Sequence, residues 1–176
     1  MWGGALGPTA RLARPIHRTH NVRMVLLSLS ELRATLATNK RLIGIDPGRR
    51  TIGVALSDVT LTLASPYGAV RRGKLRDNAG AIAAIARKEN VGGLVIGLPL
   101  AMDGSFGPSA QAARDWALAL SEATGLSTTM WDERLSSAAV NRFLIEEADI
   151  SRRKRSQAVD RMAAAWLLQG ALDALR

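Results

Sequence analysis

Four carboxylates stand where this chain could do chemistry: Asp46, the adjacent Asp132 and Glu133, and Asp160. Asp46 ends the apolar run Arg41-Leu42-Ile43-Gly44-Ile45 and opens Asp46-Pro47-Gly48, with Gly53 on the segment that follows. An acid at the end of a buried strand is held rigidly and away from bulk water, so it needs a cation or a hydrogen-bond donor. Turn amides are one source of donors, because Asp-Pro-Gly is also ordinary turn chemistry. Asp132-Glu133-Arg134 ends a second apolar stretch, and Ser136 is placed to cap a helix after it. Strand alternation sends Asp132 and Glu133 to opposite faces, Asp132 with Met130 and Glu133 with Trp131. Glu133 has the longer reach, and the short Asp132 side chain suits bracing its own loop, so Glu133 is preferred as the chemical group and Asp132 is kept as the alternative. Asp160 stands on a helical pattern whose face continues through Ala164, Leu167, Leu168 and Ala171. A helix lying on a sheet by that small apolar stripe has no packing use for an acid, although a contact with the helix N-terminus would also account for it.

Together Asp46, Glu133 (or Asp132) and Asp160 form an all-oxygen set on three separate elements. Such a set suits hard divalent cations, Mg2+ or Mn2+. Two of them about 3.5–4 Å apart would activate water for phosphodiester hydrolysis. The rest of the composition narrows the choice. There are no cysteines, which excludes disulfides, thiolate zinc sites and cysteine nucleophiles. His17 and His20 both fall in an N-terminal stretch without periodicity, so neither a Ser-His-Asp triad nor a histidine metal site is expected. Lys and Arg number 24 against 15 Asp and Glu, a net charge of +9 that points to a polyanionic partner. Aromatic residues are only 4% of the chain, too few for a large stacking platform for single strands. No apolar run is long enough to span a bilayer, so no membrane partner is expected.

The elements that must position these acids can be read from the pattern. Residues 1–23 are rich in Gly, Pro, Arg and Thr and are expected to be a loose basic tail, with one domain over 24–176. A short helix is expected from Ser30 to about Ala37, capped by Ser28 or Ser30. Strands are expected at 41–46, 51–57, 64–70, 93–97 and 126–131, and helices at 77–89, 108–124, 136–147 and 156–175. Early hairpins followed by crossover helices predict an α/β domain with a mixed five-stranded sheet, antiparallel first and parallel later. The Leu98–Gly107 connection exceeds the roughly 2–6 residues usual between a strand and a helix, which favours a functional loop over the sheet end.

The motifs also occur in a known order. Ile43-Gly44-Ile45-Asp46-Pro47-Gly48, Ile52-Gly53-Val54-Ala55, Val95-Ile96-Gly97-Leu98-Pro99-Leu100-Ala101-Met102-Asp103-Gly104-Ser105, Asp132-Glu133-Arg134-Leu135-Ser136 and Val159-Asp160 with Ala163-Ala164 together resemble the YqgF/RuvX family over about residues 41–173. The resemblance implies a ribonuclease H-like fold with helices on both faces of the sheet, and kinship with Holliday-junction resolvases. It also implies a nuclease that matures the 5′ end of pre-16S rRNA in the bacterial cytoplasm. By position, the family's catalytic acids fall on Asp46, on the Asp132-Glu133-Arg134 motif and on Asp160. Where the family often has a lysine shortly before the last aspartate this chain has Ser156 and Gln157, leaving Lys154 and Arg155 to take its place. Arg49, Arg50, Arg134, Lys154 and Arg155 are therefore the expected phosphate contacts, with Arg71, Arg72 and Lys74 also flanking the site.

Three other readings compete. Resolution of branched DNA, which the related fold permits, would need a homodimer to place two cuts; the expected state is a monomer or a homodimer. A binding or antitermination factor would have no use for the acids, and EDTA would leave it unaffected. An actin-like ATPase shares the Asp46 hairpin, in which phosphate is cradled, but needs two domains and a longer chain than 176 residues.

Overall fold

The computed structural model describes residues 26–101, 103–132 and 152–176, with the backbone alone over 152–160. The first described element is α1 (Leu29–Thr35), a short helix closed at its start by a capping box. The Glu31 amide donates to the Ser28 hydroxyl at 3.2 Å, and the Ser28 amide donates to the Glu31 carboxylate at 2.7 Å. These bonds satisfy helix-start amides that have no partner within the helix.

Five strands follow the expected order: β1 (Arg41–Asp46), β2 (Thr51–Ser57), β3 (Ala64–Arg71), β4 (Val91–Leu98) and β5 (Ser127–Asp132). They form one sheet in the spatial order β3-β2-β1-β4-β5. β1–β2 and β2–β3 are antiparallel, and β1–β4 and β4–β5 are parallel. This is the mixed five-stranded sheet expected from the sequence, antiparallel first and parallel later, with β1 at its centre. Pro66 lies on the edge strand β3, opposite Ala55 where the β2–β3 register shifts, a place where a missing N–H costs no ladder bond.

Among the described residues, three longer helices cover the two faces. On one face α2 (Leu75–Lys88) and α3 (Pro108–Thr124) pack over Ile43, Ile45, Ile52, Val54, Leu94 and Ile96. Pro108 starts α3, and Gly125, at φ 70°, ends it by donating its amide to the Ser121 carbonyl at 2.8 Å. On the other face lies α4 (Arg152–Asp173), whose Ala164, Leu167, Leu168, Ala171 and Leu172 pack with Leu42, Ala55 and Val95. The helix expected at 136–147 lies outside the described residues.

α4 sits unusually close to the sheet, and Gly44 is the reason. A Cβ added to Gly44 would lie 2.7 Å from Leu168 Cβ and 2.9 Å from the Ala164 carbonyl oxygen. The helix therefore rests directly on the backbone of β1. Its direction follows from its other end. Gln169 accepts from the Ala64 amide at 2.8 Å, and Arg176 donates to the Thr62 carbonyl at 2.7 Å. Ala64 is opposite Ser57, beside the N-terminal end of β1. α4 thus runs antiparallel to β1, with its N-terminal turns over the end that carries Asp46.

The helix also begins earlier than the pattern indicated, at Arg152 rather than Ser156. The expectation failed because α4 opens on four consecutive cations, with no acid in its first turn to mark the start. The shift moves Asp160 out of the first turns. A dipole contact, which acts within the first turn, no longer accounts for an acid there.

The Gly44 contact generates the first prediction. Gly44→Ala should lower unfolding free energy by about 1–3 kcal/mol, the usual cost of overpacking. Urea denaturation monitored by circular dichroism measures it. A variant as stable as the wild type would mean that α4 does not need this approach.

Candidate active site

Asp46 is the last residue of the central strand, and its setting follows from strand alternation. Ile43 and Ile45 belong to the α2/α3 core, while Leu42 belongs to the α4 core and Gly44 touches α4 directly. Asp46 is the next position on the α4 face. Directly opposite it on β2 is Gly53, which puts no side chain beside the carboxylate. Along α4, Asp160 is one turn before Ala164, about 6 Å nearer the Asp46 end. Along β1, Asp46 is two residues beyond Gly44, roughly 6.6 Å in the same direction. One close contact therefore brings the backbone positions of Asp46 and Asp160 together at one end of the sheet.

β5 brings the third candidate to the same end. Leu98 of β4 pairs with Asp132, and Ile96 of the same strand pairs with Ile45. Met130 packs into the α2/α3 core and Trp131 into the α4 core. Met130 and Trp131 thus lie on opposite faces as expected, and the same alternation assigns Asp132 to the face away from α4. Glu133 and Arg134 lie outside the described residues, as do the side chains of Lys154, Arg155 and Asp160. Among the described residues no three His, Asp or Glu side chains gather as a metal site. Of the preferred acid set, Asp46 alone has a described side chain. Its donor chemistry, carboxylate oxygen on a rigid strand end, fits Mg2+ or Mn2+.

The turn that follows Asp46 is tightly built. The Gly48 amide donates to the Asp46 carbonyl at 3.0 Å, and a Cβ on Gly48 would collide with the Thr51 carbonyl oxygen. Only glycine fits there. Arg72, expected to flank the site as a phosphate contact, also holds this turn. Its Nη1 donates to the Pro47 carbonyl at 2.9 Å and to the Gly48 carbonyl at 3.0 Å, and its amide donates to the Arg50 carbonyl at 3.0 Å. The guanidinium also lies 5.0 Å from the centroid of the Trp116 ring on α3. Asn78, buried on α2, fixes the chain that carries Arg72, donating to the Arg71 carbonyl at 2.9 Å and accepting from the Gly73 amide at 3.2 Å. No motif in the sequence marked Asn78. Its signal is the buried amide facing a strand-to-helix connection, which only the fold reveals. Arg49 and Arg50 are exposed on the turn, where phosphate contacts were expected.

The Leu98–Gly107 loop closes on itself at the same sheet end. The Asp103 carboxylate accepts from the Ser105 amide at 2.8 Å, the Gly104 amide donates to the Ala101 carbonyl at 2.8 Å, and Gly104 adopts φ 84°. Phe106 is left exposed beside it. Asp58 shows what a structural acid looks like in this fold. It accepts from the amides of Leu63 and Thr62 and from the Thr60 hydroxyl, and these bonds, that of Leu63 first, hold its carboxyl down at about 2.

The model of the RuvX family, described as Holliday junction resolvase, matches residues 40–174. The chain belongs to the RuvX family. A relative from Gluconacetobacter diazotrophicus, named "Putative pre-16S rRNA nuclease", is 62% identical over 151 residues, covering 86% of this chain and 98% of that one. A relative of the same name from Acidiphilium cryptum is 61% identical, covering 86% and 96%. Among solved structures, RuvC from T. thermophilus in complex with a Holliday junction substrate aligns with 16% identity and a TM-score of 0.46, over 77% of this RuvX chain and 95% of that one. The RuvX family is one of nucleases acting on nucleic acid, in agreement with the enzyme class read from the acids.

The second prediction concerns the turn. Arg72→Met keeps the apolar stem and removes the charged donors. It should cost about 1.5–3 kcal/mol, the range for hydrogen bonds to charged groups, and lower cleavage by displacing Asp46. Thermal unfolding and cleavage assays on the same preparation check it. Wild-type values in both would show that the turn holds itself.

Proposed function

We propose that this protein is a divalent-metal nuclease that cleaves structured RNA, with the 5′ end of precursor 16S rRNA as its substrate. The observation that supports this reading is the seating of α4 on Gly44, with α4 antiparallel to β1 and its N-terminal turns toward the strand end that bears Asp46. Asp46, Glu133 and Asp160 are the proposed ligands of Mg2+ or Mn2+, with Asp132 as the alternative to Glu133. Such ions, when bound, supply Lewis-acid activation of water and of the phosphate. The residues do the rest. β1 and its tied turn hold the Asp46 carboxylate at a fixed place, and Gly53 leaves room beside it. Arg49, Arg50, Arg134, Lys154 and Arg155 bind the substrate backbone on the flanks.

The basic run at 152–155 supports this reading. Four cations fill the first turn of α4, where the helix dipole is already positive. Each is opposed by about 0.3–1 kcal/mol there, a cost that an incoming polyanion reverses. The relatives' name supports the choice of precursor rRNA, and the expected setting is the cytoplasm, as monomer or homodimer. Among the described residues no helix is long and apolar enough to cross a membrane. The family description favours a second reading, resolution of Holliday junctions by a dimer. Parallel incubation with precursor rRNA and a four-way DNA junction separates the two.

The test is cleavage in Mg2+ by single carboxylate variants. Asp46→Asn should abolish turnover with the circular dichroism spectrum unchanged. Glu133→Gln should lose about 100-fold or more, and Asp132→Asn should lose less activity and more thermal stability. EDTA should silence the wild type. Normal turnover by Asp46→Asn, or full activity in EDTA, would overturn the metal–carboxylate reading; the reverse order of Asp132 and Glu133 would exchange their roles.

A further inference from the structure

On the face of the sheet opposite α4, a cleft of about 510 Å3 lies between the Asp46 turn and the first turn of α3. Asp46, Arg49, Arg72, Pro99, Ser109 and Ala113 are among its lining residues. We propose that this cleft binds a second phosphate of the nucleic-acid backbone, away from the cleaved bond, with Arg49, Arg72 and Ser109 as donors. The proposal rests on the nuclease reading above and adds to it where the substrate strand goes.

Three observations carry it. First, the cleft and the acids share a border. Asp46 ends β1 on the α4 face and also lines the cleft, so a strand crossing this end of the sheet meets the acids on one side and the cleft on the other.

Second, the cleft presents fixed positive charge. The Arg72 guanidinium is held by the Pro47 and Gly48 carbonyls through Nη1 alone. Its Nε and Nη2 hydrogens meet no acceptor among the described residues. A guanidinium that is already immobilised loses little entropy when its remaining edge meets a phosphate. Arg49 is exposed on the adjoining turn and adds a second cation.

Third, the opposite wall is shaped for an anion. α3 starts at Gly107 with no side-chain cap and no acid in its first turn, so its own sequence leaves the helix start uncompensated. Ser109 adds a hydroxyl there, and the small Ala112 and Ala113 leave the volume open.

Ser109→Asp separates binding from folding. An acid in the first turn of a helix is favourable, so the variant should melt at or above the wild-type temperature. In the cleft the same charge repels phosphate. The experiment uses the full chain in EDTA, which prevents cleavage, with a fluorescent RNA hairpin titrated at several salt concentrations. Ser109→Asp should weaken binding about tenfold near 0.1 M salt and flatten the slope of log affinity against log salt by about one. Ser109→Asn, neutral and isosteric with the introduced Asp, should bind far more tightly than Ser109→Asp, which separates the effect of charge from that of size. Arg49→Ala should flatten the slope by about one as well. Wild-type affinity and slope in Ser109→Asp, with the wild type binding normally, would overturn the cleft alone. Failure of the wild type to bind either the hairpin or a four-way junction would overturn the nuclease reading and the cleft with it.

Discussion

The structure turns on the contact between α4 and Gly44. A helix that packs on a sheet through ordinary side chains is held away by their bulk. Here Ala164 and Leu168 come down onto the bare backbone of β1, and a single methyl group at Gly44 would collide with both. The consequence is positional. Asp46 and Asp160 are far apart in the chain and have no common turn or motif. Their approach depends on where α4 crosses β1 and how closely. Protein interiors are dense enough that such a contact admits little slack, so packing in the core becomes accuracy at the site.

Asp46 is held from the opposite side as well. Asn78 is fixed within α2 and sets the path of residues 71–73; Arg72 then reaches from that path to the two carbonyls after Asp46. Trp116 of α3 supports the guanidinium from below. Both faces of the sheet therefore converge on one short turn. Gly48 makes that turn possible, because its hydrogen faces the Thr51 carbonyl where a side chain would not fit. The arrangement also explains why a basic residue beside an acidic site need not touch substrate with its whole charge. Part of Arg72 is structural, and only its remaining edge faces the cleft.

Much of this was readable beforehand, for identifiable reasons. The central strand showed itself as an uninterrupted apolar run, because a strand buried on both faces has no solvated side to mark with polar residues. Alternation assigned Met130 and Trp131 to opposite faces without help from the fold, since the period of a strand is two. Helix α3 carried its own punctuation in Pro108 and Gly125. The start of α4 did not: its first turn is Arg152-Arg153-Lys154-Arg155, the opposite of what a helix start usually displays, so the pattern pointed four residues too late. The meaning of Gly44 was likewise hidden. A glycine within a strand says that something comes close, but only the fold says what. The turn-holding role of Arg72, and Asn78 altogether, were hidden for the same reason, because their partners are backbone carbonyls and amides, which every residue has.

The central claim is that Asp46 and Asp160 serve one metal site because α4 rests on β1. The most direct measurement is a titration of Mn2+ by calorimetry into four proteins: wild type, Asp46→Asn, Asp160→Asn and the double variant. Ligands of one site are not independent, so either single substitution should remove most of the affinity and the second should add little. Independent losses that sum in the double variant, or Mn2+ binding unchanged by Asp160→Asn, would contradict the account.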